Sequence, residues 1–199
     1  MDLILMRHPP PEVATNVCYG RTDIAPLAAG FDVALAAMHA RLGRVLGERK
    51  PTVIHSSPLR RARVAATVMA DRFGVPLQVD ERLAEMNFGD WELRAWDDID
   101  RSALDAWAQD VAGFSPPGGE SARDVALRME AWAQALRAQA SRSDDVHVVV
   151  AHAGPIRLRT ATALGLPTTA CLSWALDFGG LCHLHIADDG QTRLIRWNA

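Results

Sequence analysis

The feature that most constrains this chain is the way its short apolar runs end. Leu3–Met6 stops abruptly at Arg7–His8–Pro9, and Val146–Ala151, the most strand-like segment and apolar except for His147, stops at His152–Ala153–Gly154. Such runs are too short for buried helices and lack the alternation of a half-exposed strand. They read as strands covered on both faces, each delivering polar residues at its carboxyl end. Between them the pattern switches to helical spacing. Phe31, Leu35, Met38, Leu42 and Val45 mark a first amphipathic helix. Thr52–His55 is a second strand, closed by Ser56–Ser57–Pro58, where Ser57 suits an N-cap and Pro58 a first helical position. Leu59, Ala62, Ala66, Met69 and Phe73 then line a helix that Gly74 stops, and Leu77–Val79 is a third, shorter strand.

From Glu81 to Gly119 the text is irregular and aromatic (Phe88, Trp91, Trp96, Trp107), and Pro116–Pro117–Gly118–Gly119 breaks the chain. The tryptophans suit either a pocket for an aromatic base or loop anchoring. Ser121 and Asp124 approximate a capping box for a long helix buried through Val125, Met129, Trp132 and Leu136. A helix from Ile156 to about Leu164 follows, then strands at Leu172–Asp177, Leu181–Ile186 and Arg193–Trp197. Strands alternating with helices predict a three-layer α/β/α sandwich with a mostly parallel central sheet. The last strands follow one another without helices, so the sheet gains an antiparallel edge. No linker divides residues 1–199, which predicts a single domain.

Composition excludes several classes. With 49% hydrophobic and 23% charged residues, the 199-residue chain is neither disordered nor a small disulfide scaffold. Its net charge of −3 provides no global field for nucleic acid or an anionic membrane, so a bound anion needs a local cluster of cations. Lys50 is the only lysine among 21 basic residues; arginine suits bidentate phosphate recognition, although compositional bias accounts equally for the total. Cys18, Cys171 and Cys182 are scattered without a C-x-x-C pair, as in a reducing compartment. The first strand is too short for a signal peptide, and no run approaches the roughly 20 residues of a membrane helix. A cytoplasmic protein is expected.

Ligands of open α/β sheets bind beyond the carboxyl ends of the strands. Those ends carry Arg7 and His8, then Ser56, Ser57, Arg60 and Arg61, then Glu85, then His152. Two histidines with several arginines make a site for a tetrahedral phosphate. A neutral imidazole can attack phosphorus, arginines can neutralise the transition-state oxygens, and a carboxyl group such as Glu85 can protonate the leaving alkoxide. The arginines supply the positive charge that a metal would otherwise bring, so no cofactor or metal is expected.

Leu5–Met6–Arg7–His8 resembles the opening motif of the histidine phosphatase (phosphoglycerate mutase-like) superfamily. Ser56–Ser57–Pro58–Leu59–Arg60–Arg61–Ala62 resembles its second motif, Leu83 to Glu92 its acid-bearing segment, and Val150–Ala151–His152–Ala153–Gly154 its second-histidine motif. The resemblance implies that His8 is the phosphorylated nucleophile and Glu85 the proton donor. It makes Arg7, Arg61 and His152 the phosphate pocket, with Arg21, Ser57 and Ala153 as further phosphate or substrate contacts. Cys18–Tyr19–Gly20–Arg21–Thr22–Asp23 and Pro117–Gly118–Gly119–Glu120–Ser121 are most similar to the α-ribazole phosphatase branch of cobalamin assembly. Two departures stand out: Pro9 and Leu93 occupy positions where the family pattern has glycine. Pro9 removes a backbone donor and stiffens the loop.

The expected activity is hydrolysis of a small phosphomonoester, α-ribazole phosphate or a broader set. A mutase sharing the first half-reaction and a catalytically silent anion-binding protein are the rivals. Elsewhere, His39, His55 and His147 read as structural, and Arg60 and Arg63 as solvated helix positions. His183 and His185 share one strand face at a spacing that zinc can use, but without evident further ligands they read as a packed pair. Asp177–Phe178–Gly179 copies a kinase magnesium motif without its companions and is read as chance.

Overall fold

The computed structural model describes residues 1–139 and 144–199. Its six strands are β1 (Asp2–Arg7), β2 (Val53–Ser56), β3 (Leu77–Val79), β4 (Val146–Ala151), β5 (Leu181–Ile186) and β6 (Thr192–Arg196). They form one sheet in the order β3-β2-β4-β1-β5-β6. β1, β2, β3 and β4 pair in parallel; β5 runs antiparallel to β1, and β6 to β5. Among the described residues, five α-helices accompany the sheet: α1 (Phe31–Leu46), α2 (Arg60–Phe73), α3 (Arg101–Gln109), α4 (Ala122–Gln139) and α5 (Ala153–Ala163).

The apolar runs are explained by burial on both sides of the sheet. In β1, Leu3 and Leu5 pack into the core shared with α4 and α5, whereas Ile4 and Met6 pack against α1 and α2. In β4, Val149 and Ala151 face the first core, and Val146, Val148 and Val150 the second. Leu35, Met38 and Leu42 of α1 and Val125, Met129, Trp132 and Leu136 of α4 are all buried, on the faces their spacing predicts. At the head of α4, the Ser121 backbone N–H donates to Asp124 Oδ2 (2.9 Å) and the Asp124 N–H to Ser121 Oγ (3.2 Å), a reciprocal cap.

A third, smaller core lies over the carboxyl end of the sheet. Cys18, Trp91 and Ile99 are buried there, with Phe88, Trp96, Trp107 and Phe114 against them. Trp96 and Trp107 stack with ring centroids 5.9 Å apart, and Trp91 stacks on Phe114 at 5.8 Å. The irregular segment is therefore an aromatic-anchored platform beside the strand ends.

Three local expectations are corrected. Leu172–Asp177 is not a strand: the segment turns across the end of β1, where the Leu176 carbonyl accepts from Arg7 instead of joining a ladder. α2 begins at Arg60 with Leu59 as its N-cap residue, two residues after the expected cap. Ser57 Oγ does accept the Leu59 N–H (3.2 Å), and the same hydroxyl lies 2.7 Å from His152 Nε2. α5 starts at Ala153, earlier than Ile156, because the chain enters the helix directly from His152.

Candidate active site

The parallel strands β1, β2 and β4 end side by side, which brings together residues far apart in sequence. His8 follows β1, Ser57 follows β2 and His152 follows β4; all three are buried. The His8 N–H donates to the Ala151 carbonyl (2.9 Å), tying the two strand ends together. The imidazole rings of His8 and His152 lie 5.0 Å apart, edge to face.

His8 Nδ1 lies 2.6 Å from the Pro9 carbonyl. A carbonyl only accepts, so Nδ1 carries the proton and Nε2 holds the free lone pair. Position 9 thus contributes through its C=O, and replacing glycine by proline leaves this contact intact. Burial, together with the Arg61 and Arg7 charges, holds the His8 pKa well below the usual histidine value. Burial, His8 and the same arginines do likewise for His152. Both rings are neutral at neutral pH. His152 Nε2 lies 2.7 Å from Ser57 Oγ, and its buried Nδ1 has no partner.

Arg61 is fully buried in the first turn of α2. Its guanidinium donates to the carbonyls of Thr22 (2.8 Å) and Gly20 (2.5 Å), and its Nε has no partner. The loop carrying those carbonyls is pinned by Glu92, which accepts the N–H groups of Arg21 (2.7 Å), Thr22 (2.6 Å) and Phe88 (3.0 Å). Arg7 donates to the Leu176 carbonyl (2.6 Å), and its guanidinium carbon sits 3.7 Å over the Phe178 ring. Phe178 also packs on His8 with centroids 5.5 Å apart.

Glu85 projects from the platform toward the N-terminus of α5, where its Oε2 accepts the Gly154 N–H (3.4 Å) and its Oε1 the Met86 N–H (2.9 Å). A Cβ on residue 154 would overlap Glu85 Oε1, so a larger residue here would displace the carboxylate from this position. Ala153 and Gly154 open α5, placing a helix N-terminus at the site. Beside Glu85, a cavity of about 480 Å3 is walled by Met86, Phe88, Trp107, Ala153, Arg157 and Leu172 among others.

The structure therefore gathers Arg7, His8, Ser57, Arg61, Glu85, His152 and Ala153 at one rim. Arg21 is placed differently: its side chain is half-buried at the edge and pairs with exposed Glu81 (3.1 Å). Sequence reasoning missed Phe178, Glu92 and Arg157. Phe178 was hidden in a motif read as chance, directly after the stretch read as strand. Glu92 was legible only as part of the Trp91–Glu92 pattern, and Arg157 only as a cation one turn beyond His152.

Elsewhere, His183 Nε2 and His185 Nδ1 both contact Asp2 Oδ1 (3.1 and 3.0 Å), and Arg49 holds the other oxygen (2.5 Å). His55 Nε2 lies 3.1 Å from His147 Nδ1 beneath Trp132. No helix among the described residues is long and apolar enough to cross a membrane.

The sequence profile of the histidine phosphatase superfamily (branch 1) matches residues 3–199. The chain is 38% identical over 174 residues to a glucosyl-3-phosphoglycerate phosphatase of Mycolicibacterium vanbaalenii, covering 83% of this chain and 75% of that one. It is 29% identical over 183 residues to an adenosylcobalamin/α-ribazole phosphatase of Escherichia coli K12, covering 90% and 87%. Among solved structures, a mycobacterial glucosyl-3-phosphoglycerate phosphatase superposes with a TM-score of 0.82 at 31% identity, over 100% of this chain and 98% of the other. With its two histidines at parallel strand ends and a family match along nearly its whole length, this chain belongs to the histidine phosphatase superfamily and is a phosphoric monoester hydrolase.

Proposed function

We propose that the protein hydrolyses a small phosphomonoester through a phosphohistidine formed on His8. The observation that carries this reading is the Nδ1–Pro9 hydrogen bond, which leaves the Nε2 lone pair free in a ring kept neutral by burial and by Arg61. Nε2 attacks phosphorus as the ester P–O bond breaks, and the leaving oxygen takes a proton from the Glu85 carboxyl group. Arg7, Arg61, His152 and the N–H groups opening α5 hold the remaining phosphate oxygens, where negative charge gathers in the transition state. Ser57 keeps His152 in place. A water molecule then attacks phosphorus, Glu85 recovers a proton from it, the N–P bond breaks, and inorganic phosphate leaves. The arginines supply the cationic field, so turnover is expected to survive EDTA.

Two substrates follow from the relatives. Higher identity favours glucosyl-3-phosphoglycerate. The aromatic wall of Phe88 and Trp107 favours α-ribazole phosphate, whose base could stack there. Phosphate release from both compounds and from p-nitrophenyl phosphate tests the reading, for the wild type and for His8→Ala with EDTA present. Turnover that vanishes in His8→Ala, with an acid-labile phosphate trapped on the wild-type enzyme, is the expected result. Activity that persists in the variant, or that EDTA removes, would sink the mechanism.

A further inference from the structure

The cavity beside Glu85 is lined by a cation that forms no ion pair among the described residues. Arg157 lies one turn into α5, half-buried, with its side chain lining the cavity wall. Among the described residues it makes no hydrogen bond or ion pair, and its Nε is buried without a partner. Other arginines close to this side of the sheet are matched by carboxylates: Arg82 by Asp80 (2.6 Å), Arg128 by Glu120 (3.0 Å) and Arg159 by Glu130 (2.5 Å). The cavity is otherwise walled chiefly by Met86, Phe88, Trp107, Val111 and Leu172, which solvate an ammonium or guanidinium poorly. Arg157 lines the same cavity as Glu85, Ala153 and Gly154, so it borders the space on the leaving-group side of the phosphate pocket. A half-buried arginine facing an apolar cavity, with its Nε buried and unpaired, gains a partner when an anion arrives with the ligand.

We propose that Arg157 is a specificity-determining residue that selects phosphomonoesters whose leaving group carries a carboxylate. Resting on the phosphatase reading above, this assigns the substrate class to phosphorylated hydroxy acids. Arg7 and Arg61 meet the phosphate, and Arg157 meets the second anion by a charge-assisted, fork-like pair of hydrogen bonds. The apolar wall takes whatever else the leaving group bears.

The test compares 3-phosphoglycerate with glycerol 3-phosphate, which share a carbon skeleton and differ in the carboxylate. Wild-type enzyme is expected to prefer 3-phosphoglycerate in kcat/KM by roughly 10- to 100-fold, chiefly through KM, as one charge-assisted contact supplies. In Arg157→Met that ratio collapses toward one, and Arg157→Lys recovers part of it. Wild-type enzyme that turns over p-nitrophenyl phosphate yet shows no preference overturns the proposal and leaves the phosphatase reading standing. An unchanged ratio in Arg157→Met overturns it equally. Wild-type enzyme inactive on every phosphoester overturns the reading beneath it. The wild-type ratio decides the matter even where Arg157→Met fails to fold.

Discussion

A methyl group added at position 154 would overlap Glu85 Oε1 and push the carboxyl group away from the leaving oxygen. Alanine is otherwise favoured over glycine within a helix by about 1 kcal/mol, so Gly154→Ala separates chemistry from folding. We expect kcat to fall about 100-fold or more, the usual contribution of a general acid, with no loss of thermal stability. A parallel loss of activity and melting temperature would refute this role for Gly154. Leu93 presents the opposite case. It stands where the family pattern has glycine, and its φ of 65° lies in the left-handed region that favours glycine. The side chain is 62% exposed, so little burial offsets the strain. The conformation costs a non-glycine residue roughly 1–2 kcal/mol, and glycine returns part of that as chain entropy. Leu93→Gly should therefore raise stability by about 0.5–1 kcal/mol, or about 1–4 °C in a chain of this size. A lower melting temperature would count against it. Leu93 was visible in sequence as an oddity, but its positive φ was not, because that depends on the Leu93 N–H meeting the Cys18 carbonyl (2.6 Å).

At the scale of elements, the strand ends were legible and the connections were not. β1 and β4 follow from largely apolar runs buried on both faces, and the one polar residue inside β4, His147, is matched by His55 of β2. Residues 172–177 have comparable apolar content but lead over the end of β1: the Leu176 carbonyl accepts from the Arg7 side chain (2.6 Å), and just beyond, the Gly179 N–H donates to the Arg7 carbonyl (3.1 Å) and the Arg7 N–H to the Gly180 carbonyl (3.0 Å). Local pattern cannot distinguish a strand from a segment whose partner lies about 170 residues away in sequence. This closing loop has a functional consequence, because it lays Phe178 on both Arg7 and His8. A cation–π contact of this kind contributes about 0.5–2 kcal/mol. Phe178→Ala is expected to lower kcat/KM about three- to tenfold by loosening Arg7, with the phosphohistidine still formed. Steady-state kinetics with acid-quench trapping would check both parts; an unchanged kcat/KM would remove Phe178 from the site.

Across the molecule, His8, His55 and His152 are held in their neutral form. Burial holds His8 and His152 well below the ordinary value, and burial with neighbouring His147 brings His55 down to about 4. The unfolded chain, whose histidines titrate near 6.5, therefore takes up protons first as pH falls. Stability is full above about pH 6.5 and is lost below it, at about 1.4 kcal/mol per pH unit for each such group. For His55 the loss levels off near pH 4, where the native ring also protonates. Urea midpoints should drop clearly between about pH 7 and pH 5; a flat profile would mean that these rings are not buried neutral. The sequence by itself determined the doubly covered strands, the helix faces and the residues standing at strand ends, because burial and spacing are written locally in residue type. Only the tertiary structure decided that Phe178 covers Arg7, that Glu92 pins the loop gripping Arg61, that Arg21 pairs outward and that Arg157 lacks a partner among the described residues. Those facts depend on which distant carboxylate or carbonyl reaches each group, and packing alone sets that.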